Sequence, residues 1–194
     1  QFMGALPESQ VRELLDRHLP RESDQLLARA QGLMSARDFE GAAALIAQAG
    51  KTDPENARVG LAEAEIASAT GDNQGAQAIV DRLPLELADD PEVTALRGQI
   101  LFRGLCAESP PEAEVKSKLA SDPADNRARY LLAAHRVAGH DYEGALEQLL
   151  ELMKRDRFFE DDAGRKGMLL IFAILGGEGD LVTRYRGKML NAMY

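Results

Sequence analysis

Small and bulky apolar residues recur along this chain with the period of paired helices. Between residues 26 and 54 the apolar positions follow helical spacing on both sides of a polar turn, and Asp53-Pro54 ends the second helix. The same order returns between residues 129 and 156, where the turn RDFEGA has become HDYEGA. The turn aromatics Phe39 and Tyr142 lie 103 positions apart, which is about three times 34.

A 34-residue period of helix–turn–helix units is the signature of tetratricopeptide repeats. The sequence therefore predicts an all-α fold, a right-handed superhelix of about five helix pairs, that binds another protein. A second unit spans about residues 56–91, and a third is degenerate because Pro110-Pro111 replaces its turn. A fourth unit spans 126–156, and a fifth follows the acidic linker 158–162. The residues predicted to hold the units together are Leu26, Ala30, Phe39, Ala42, Pro54, Gly71, Ala76, Tyr142 and Ala145.

Composition narrows the classes of function. Aromatic residues are only 5% and Trp is absent, so the core must be built largely from Ala and Leu, which suits a helical array. The net charge of −9 argues against nucleic acid as a partner, although residues 154–194 carry 8 Lys+Arg against 6 Asp+Glu. The longest apolar run, Met168–Leu175, is far shorter than the roughly 18 residues of a membrane span, so no membrane partner is predicted. The single cysteine, Cys106, excludes an internal disulfide and predicts a cytoplasmic location.

The first helices of the repeats are expected to line a groove. Some tetratricopeptide domains hold a partner's terminal carboxylate there with paired Lys and Asn side chains. The equivalent positions here are Leu27, Gln31, Leu61 and Glu65, so that clamp is absent. An acidic groove rich in Ala, Leu and Met is instead expected to take apolar segments of a partner.

Both ends of the chain carry a more specific pattern. The start, FMGALPESQVRELLDRHLP, and the end, DDAGRKGMLLIFAILGGEGDLVTRYRGKMLNAMY, flank four repeat-like units of which the third is poor. Together they resemble the C-terminal part of the bacterial thioredoxin–tetratricopeptide proteins called chaperedoxins, the CnoX or YbbN family. The resemblance implies that residues 1–20 end a thioredoxin-like domain, that 21–157 form the repeats, and that 158–194 form a capping or docking helix pair. A chain that begins with Gln is also expected to be a fragment of a longer protein.

The resemblance implies a cytoplasmic co-chaperone. Such a protein holds unfolded or oxidation-damaged clients and passes them to a GroEL-type chaperonin, and its thioredoxin half has a redox role. The chaperonin contact is implied for the last helix, on the face containing Leu181, Tyr185, Lys188, Met189 and Tyr194. The Cys-x-x-Cys segment of a thioredoxin active site is absent from this sequence.

Two alternatives stay open. The repeats are also typical of a scaffold or oligomerisation module that binds a folded partner, and the oligomeric state is not predicted. In the second alternative, the chain is an accessory domain of a thioredoxin-type disulfide reductase, whose activity would reside outside this sequence.

No catalytic residue, metal or cofactor is predicted within the chain. His18, His135 and His140 lie apart from one another in the sequence, without a carboxylate or Cys at metal-ligand spacing. Cys106 is interpreted as a small buried apolar residue rather than a redox-sensitive thiol, because no neighbouring group in the sequence obviously lowers its pKa.

Overall fold

A computed structural model describes residues 21–193 of the chain. Those residues form ten α-helices and one short 3-10 helix, with no strand among them, which confirms the predicted all-α fold. The predicted thioredoxin-like end at 1–20, with His18, and the terminal Tyr194 lie outside the described residues. The helices are α1 Glu22–Ser35, α2 Phe39–Thr52, α3 Ala57–Ala69, α4 Asn73–Val80, the 3-10 helix Leu85–Leu87, α5 Pro91–Glu108, α6 Glu112–Ser121, α7 Asn126–Ala138, α8 Tyr142–Arg155, α9 Ala163–Ile174 and α10 Asp180–Met193.

One turn design recurs in the first, second and fourth units. The residue before each turn aspartate is left-handed, with φ of 63° at Arg37, 94° at Gly71 and 59° at His140. The aspartate then caps the next helix, because its carboxylate accepts a hydrogen bond from the backbone N–H of a glycine three residues later. The three pairs are Asp38–Gly41, Asp72–Gly75 and Asp141–Gly144, at 2.8 to 2.9 Å.

The third unit lacks this turn and is built differently. Helix α5 continues for 18 residues, until Ser109 and the two prolines that follow it end the helix. Helix α6 then packs along α7 rather than α5, and α9 packs along α5 in its place. The expected third helix pair is therefore replaced by a contact between distant parts of the chain.

Glycines allow α9 to fit between α5 and α8. A methyl group on Gly98 of α5 would lie 3.1 Å from side-chain atoms of Leu170 and Ile174 on α9. On α9 itself, a methyl group on Gly164 would lie 3.1 Å from backbone atoms of Leu149 and Met153 on α8. Gly167 faces Leu149 in the same way. These close approaches form a seam that larger side chains would open.

The core differs between the two ends of the array. The N-terminal cluster contains Ile46 and several alanines, whereas the largest cluster unites α5, α7, α8, α9 and α10 around Phe102, Phe172 and Tyr185. The predicted boundary at residue 157 therefore falls inside one continuous core. Among the residues predicted to hold the units together, Leu26, Ala30, Ala42, Ala76 and Ala145 are buried, Phe39 and Tyr142 are half-buried, and Pro54 and Gly71 are exposed in turns.

Candidate protein-binding groove

The groove is formed by α1, α3 and α5, the first helices of the first three units. The side chains that line it stand in rows with a spacing of 34 residues, so equivalent positions of the repeat lie side by side. The rows are Asp24–Arg58–Glu92, Leu27–Leu61–Ala95, Ala28–Ala62–Leu96 and Gln31–Glu65–Gln99. All four positions identified from the sequence, at residues 27, 31, 61 and 65, line this groove.

The groove is open and consists of two adjoining cavities. The larger has a volume of about 380 Å³ and a floor that includes Leu61 and Leu96. The second, of about 280 Å³, continues along the helices towards Ser35, Ala69 and Arg103. This shape suits an extended or helical peptide segment better than an enclosed small molecule.

Two carboxylates, those of Glu65 on α3 and Glu92 on α5, line the same groove. Burial raises the pKa of Glu65, and the carboxylate of Glu92 raises it further. Neither residue forms an ion pair within 4.0 Å in the part of the chain that the structure describes. The larger cavity is lined by three carboxylates, those of Asp24, Glu65 and Glu92, and by the guanidinium of Arg58, so its net charge is negative.

Polar contacts at both ends fix the three helices in register. Near the start of α1, Asn56 donates to the hydroxyl of the buried Ser23 at 3.0 Å and to the carboxylate of Asp24 at 3.1 Å. At the other end, Arg103 of α5 donates to the hydroxyl of Ser68 on α3 at 2.9 Å. These contacts pre-organise the groove, which reduces the entropy lost when a partner binds.

Comparison with known families agrees with this geometry. Two tetratricopeptide repeat models match the chain, one over residues 33–100 and the other over 106–194. The chain contains tetratricopeptide repeats. They are protein-interaction modules, and neither matching model describes an enzyme family.

Individual relatives add little on function. A Haemophilus influenzae protein described as uncharacterized is 25% identical over 194 residues, which cover all of this chain and 88% of that protein. The crystal structure of a domain of a Vibrio parahaemolyticus protein of unknown function is 24% identical, with a TM-score of 0.39, covering 88% of this chain and 99% of that domain.

The last helix of the tetratricopeptide region has its predicted docking face turned largely inwards. Tyr185 and Met189 are buried against the core, and Leu181 is half-buried. Lys188 is exposed, but its ammonium lies 4.2 Å from the ring centroid of Tyr185. In the folded chain, Lys188 is therefore accessible to a partner protein. Tyr185 and Met189 are covered, because they pack against the core at the end of the array.

Tyr185 is also fixed by its hydroxyl. This group donates to a carboxylate oxygen of Glu147 on α8 at 3.3 Å. Burial, together with the neighbouring carboxylates of Glu147 and Glu143, raises the pKa of Tyr185 to about 12. The phenol is therefore a neutral donor near neutral pH, as its contact with Glu147 requires.

The structure also joins two residues that the sequence kept apart. The Sγ atom of Cys106, at the end of α5, lies 3.3 Å from Nδ1 of His135 on α7. Sequence reasoning missed this contact because the two residues are 29 positions apart, which is not the 34-residue spacing of the repeat. His140, by contrast, is an exposed turn residue beside Tyr142.

The described residues, 21–193, contain no group of three or more His, Cys, Asp or Glu side chains that is arranged to hold a metal ion. In the same residues, none of the helices is long and apolar enough to cross a membrane.

Proposed function

We propose that the chain binds a segment of a partner protein in the groove between α1, α3 and α5. The observation that carries this proposal is an open groove that is lined by apolar side chains together with the carboxylates of Glu65 and Glu92. Its partly exposed apolar side chains, such as Leu27, Ala28 and Met34, gain free energy when apolar side chains cover them, at about 25 cal/mol per Å² of buried apolar surface. The carboxylates gain when a cation approaches them, because neither of them forms an ion pair within residues 21–193.

The preferred segment therefore carries one Lys or Arg between apolar residues. An acidic segment, or one that ends in the groove with its own carboxylate, meets repulsion from Glu65 and Glu92. This preference distinguishes the groove from tetratricopeptide clamps that hold a terminal carboxylate.

Short labelled peptides of this composition test the proposal by fluorescence anisotropy. The expected result is binding of apolar peptides that contain one Arg, with little binding when that Arg is replaced by Glu. Glu65→Lys should weaken binding at least about tenfold, because like charges then face each other. Glu63→Lys is the matched control, since Glu63 is exposed on the same helix but does not line the groove.

Equal weakening by both variants would show that net charge alone drives the interaction, and would remove the groove from the proposal. Binding that prefers Glu over Arg in the peptide would reverse the proposed partner chemistry. Binding of the preferred peptide should also weaken with added salt, because the carboxylates of Glu65 and Glu92 are partly exposed to solvent.

The wider role implied by the resemblance is a further part of the proposal. We infer that the module serves a cytoplasmic co-chaperone that holds unfolded clients and docks on a GroEL-type chaperonin, beside a redox-related thioredoxin-like domain. Support comes from the pattern at the two chain ends and from α10, whose outer side presents Arg186, Lys188 and Leu190. Large exposed apolar side chains are otherwise scattered, which favours capture of short client segments over coverage of a large surface.

Chaperonin docking is measured by biolayer interferometry with immobilised GroEL. Removing α10 is unsuitable as a test, because it would also remove Val182, Tyr185 and Met189 from the core. Lys188→Glu with Leu190→Asp changes two exposed positions and leaves Val182, Tyr185 and Met189 in the core, and it should abolish binding while the circular dichroism spectrum stays unchanged. Lys154→Glu, at an exposed position on α8, is the control and should bind normally. Absence of binding by the unaltered chain would instead favour a scaffold that has no chaperonin partner.

A further inference from the structure

In the Cys106–His135 pair, the other hydrogen bonds of His135 fix which ring nitrogen carries the proton. His135 Nε2 lies 2.9 Å from the backbone carbonyl oxygen of Pro110 and 3.0 Å from the hydroxyl oxygen of Ser109. A carbonyl oxygen only accepts hydrogen bonds, so Nε2 carries the proton of the neutral ring. Nδ1 then presents a lone pair to the Cys106 thiol, 3.3 Å away.

This arrangement has the parts that activate a nucleophile. A thiol faces a base, and the base is held in one tautomer by a third group, the Pro110 carbonyl. Cys106 is only half-buried, so a small reagent has access to its sulfur. A purely structural cysteine requires neither the base nor its orientation.

We propose that the Cys106–His135 pair is a modification site that reacts with low-molecular-weight disulfides. The thiol sulfur attacks one sulfur of a disulfide R–S–S–R while its proton passes to Nδ1 of His135. The S–S bond of the reagent breaks as the new bond to Cys106 forms, and the leaving thiolate then takes the proton from the imidazolium. One mixed disulfide and one free thiol R–SH result, so no further oxidant is consumed.

The surroundings explain why the base is needed. Burial raises the pKa of the Cys106 thiol, and the carboxylate of Glu112 at the start of α6 raises it further. The charge of Glu112 is partly balanced by Lys116 at 2.7 Å and Arg136 at 3.8 Å. Cys106 is therefore a protonated thiol at rest, and its proton leaves during the attack rather than before it.

The position on α5 connects the site to the groove. Cys106 follows Gln99 by seven residues and Arg103 by three, so the three residues share one face of the helix. The other two line the groove. A group attached to Cys106 therefore lies at the end of the surface that the first three units form.

The test uses oxidised glutathione as the probe and intact mass to follow the adduct. Because the chain has one cysteine, every adduct reports on Cys106. His135→Gln should slow adduct formation at least about tenfold, since an amide still donates to the Pro110 carbonyl but cannot accept the thiol proton. His140→Gln, which removes the exposed turn histidine, should leave the rate unchanged.

A structural role for His135 predicts the opposite sign. Loss of its bonds to Ser109 and Pro110 would loosen that segment, expose the sulfur and speed the reaction. Added imidazole should restore the rate of His135→Ala only if the missing group is a base. An unchanged or faster rate in His135→Gln, or no rescue by imidazole, overturns the proposal.

One measurement does not depend on any variant. Because the proton moves during the attack, the unaltered chain should react more slowly in D2O than in H2O. A rate that is equal or higher in D2O would show that a preformed thiolate reacts, and would overturn the role given to His135.

Discussion

The first and fourth units share one turn and one helical pattern, yet equivalent residues have opposite environments. In the first unit, Leu27 is half-buried and Gln31 is exposed, and both line the groove. Their equivalents in the fourth unit, 103 positions later, are Tyr130 and Ala134, which are buried. Tyr130 is covered by Phe159 of the acidic linker, with ring centroids 6.0 Å apart. What packs against a repeat, rather than the repeat itself, decides whether its first helix presents a binding surface or enters the core.

Helix α5 belongs to both regions at once. One of its faces lines the groove through Glu92, Gln99 and Arg103, and a different face receives α9 at Gly98 and Phe102. The C-terminal core thus supports the wall of the groove from behind. Changes confined to one region should therefore affect the other only through α5.

Tyr185→Ala should have the largest effect, because it empties a fully buried aromatic site in the C-terminal core. The expected loss in the free energy of unfolding is about 3–5 kcal/mol, measured by urea denaturation. Tyr185→Phe removes only the contact with Glu147 and should stay within about 1 kcal/mol of the unaltered chain. A small loss for Tyr185→Ala would place the tyrosine outside the core.

A Gly→Ala substitution should change the free energy of unfolding in opposite directions in the two regions. Gly164→Ala pushes a methyl group against the backbone of α8, so we expect a loss of about 1–3 kcal/mol. Gly32→Ala meets nothing within 4 Å and lies in the interior of α1, so we expect a gain of about 0.5–1 kcal/mol. Equal effects in thermal or urea unfolding would contradict the tight seam between α8 and α9.

The left-handed turns allow a smaller and reciprocal test. Gly71→Ala places a side chain at φ of 94° and should cost about 1 kcal/mol. Arg37→Gly relieves the equivalent position of the first turn and should add about 0.5 kcal/mol, because the entropy cost of an added glycine offsets only part of the gain. Urea denaturation of both variants tests whether the two turns have the same backbone conformation.

Glu65→Gln should give the smallest change in stability and depend on pH. Because the pKa of Glu65 is raised in the folded chain, stability falls as the pH rises from the ordinary carboxyl pKa to that raised pKa, and the loss is complete above it. The variant should therefore gain about 0.5 kcal/mol or less at pH near 7, with no gain near pH 3, where the carboxyl is protonated in both states. The same substitution should weaken binding of a basic peptide, so stability and binding change in opposite directions.

The local features of this fold could be predicted from the sequence. The 34-residue period located the helices, the turns and the positions that line the groove, because each depends on residues close together in the chain. The recurring Asp-x-x-Gly cap was visible at Asp38, Asp72 and Asp141, and is a signal that marks each turn directly.

Contacts between distant segments were not within reach. The degenerate third unit was recognised, but not that α9 would take the place of its second helix, since that depends on glycines about 70 residues apart meeting the right partners. Long-range packing also turns Tyr185 inwards, and Cys106 meets His135 at a separation of 29 positions that the 34-residue period does not predict. Helical spacing predicted which residues of α10 share a face, but not which way that face points.

The contact between Gly98 and Leu170 has a consequence for synthesis on the ribosome. In a linear array each unit meets only its neighbours, so folding can follow the emerging chain. Here α5 cannot complete its packing until α9 has left the ribosome, about 70 residues later. Until then, the face of α5 around Phe102 stays uncovered, and the second half of the chain should acquire its packing in one late step.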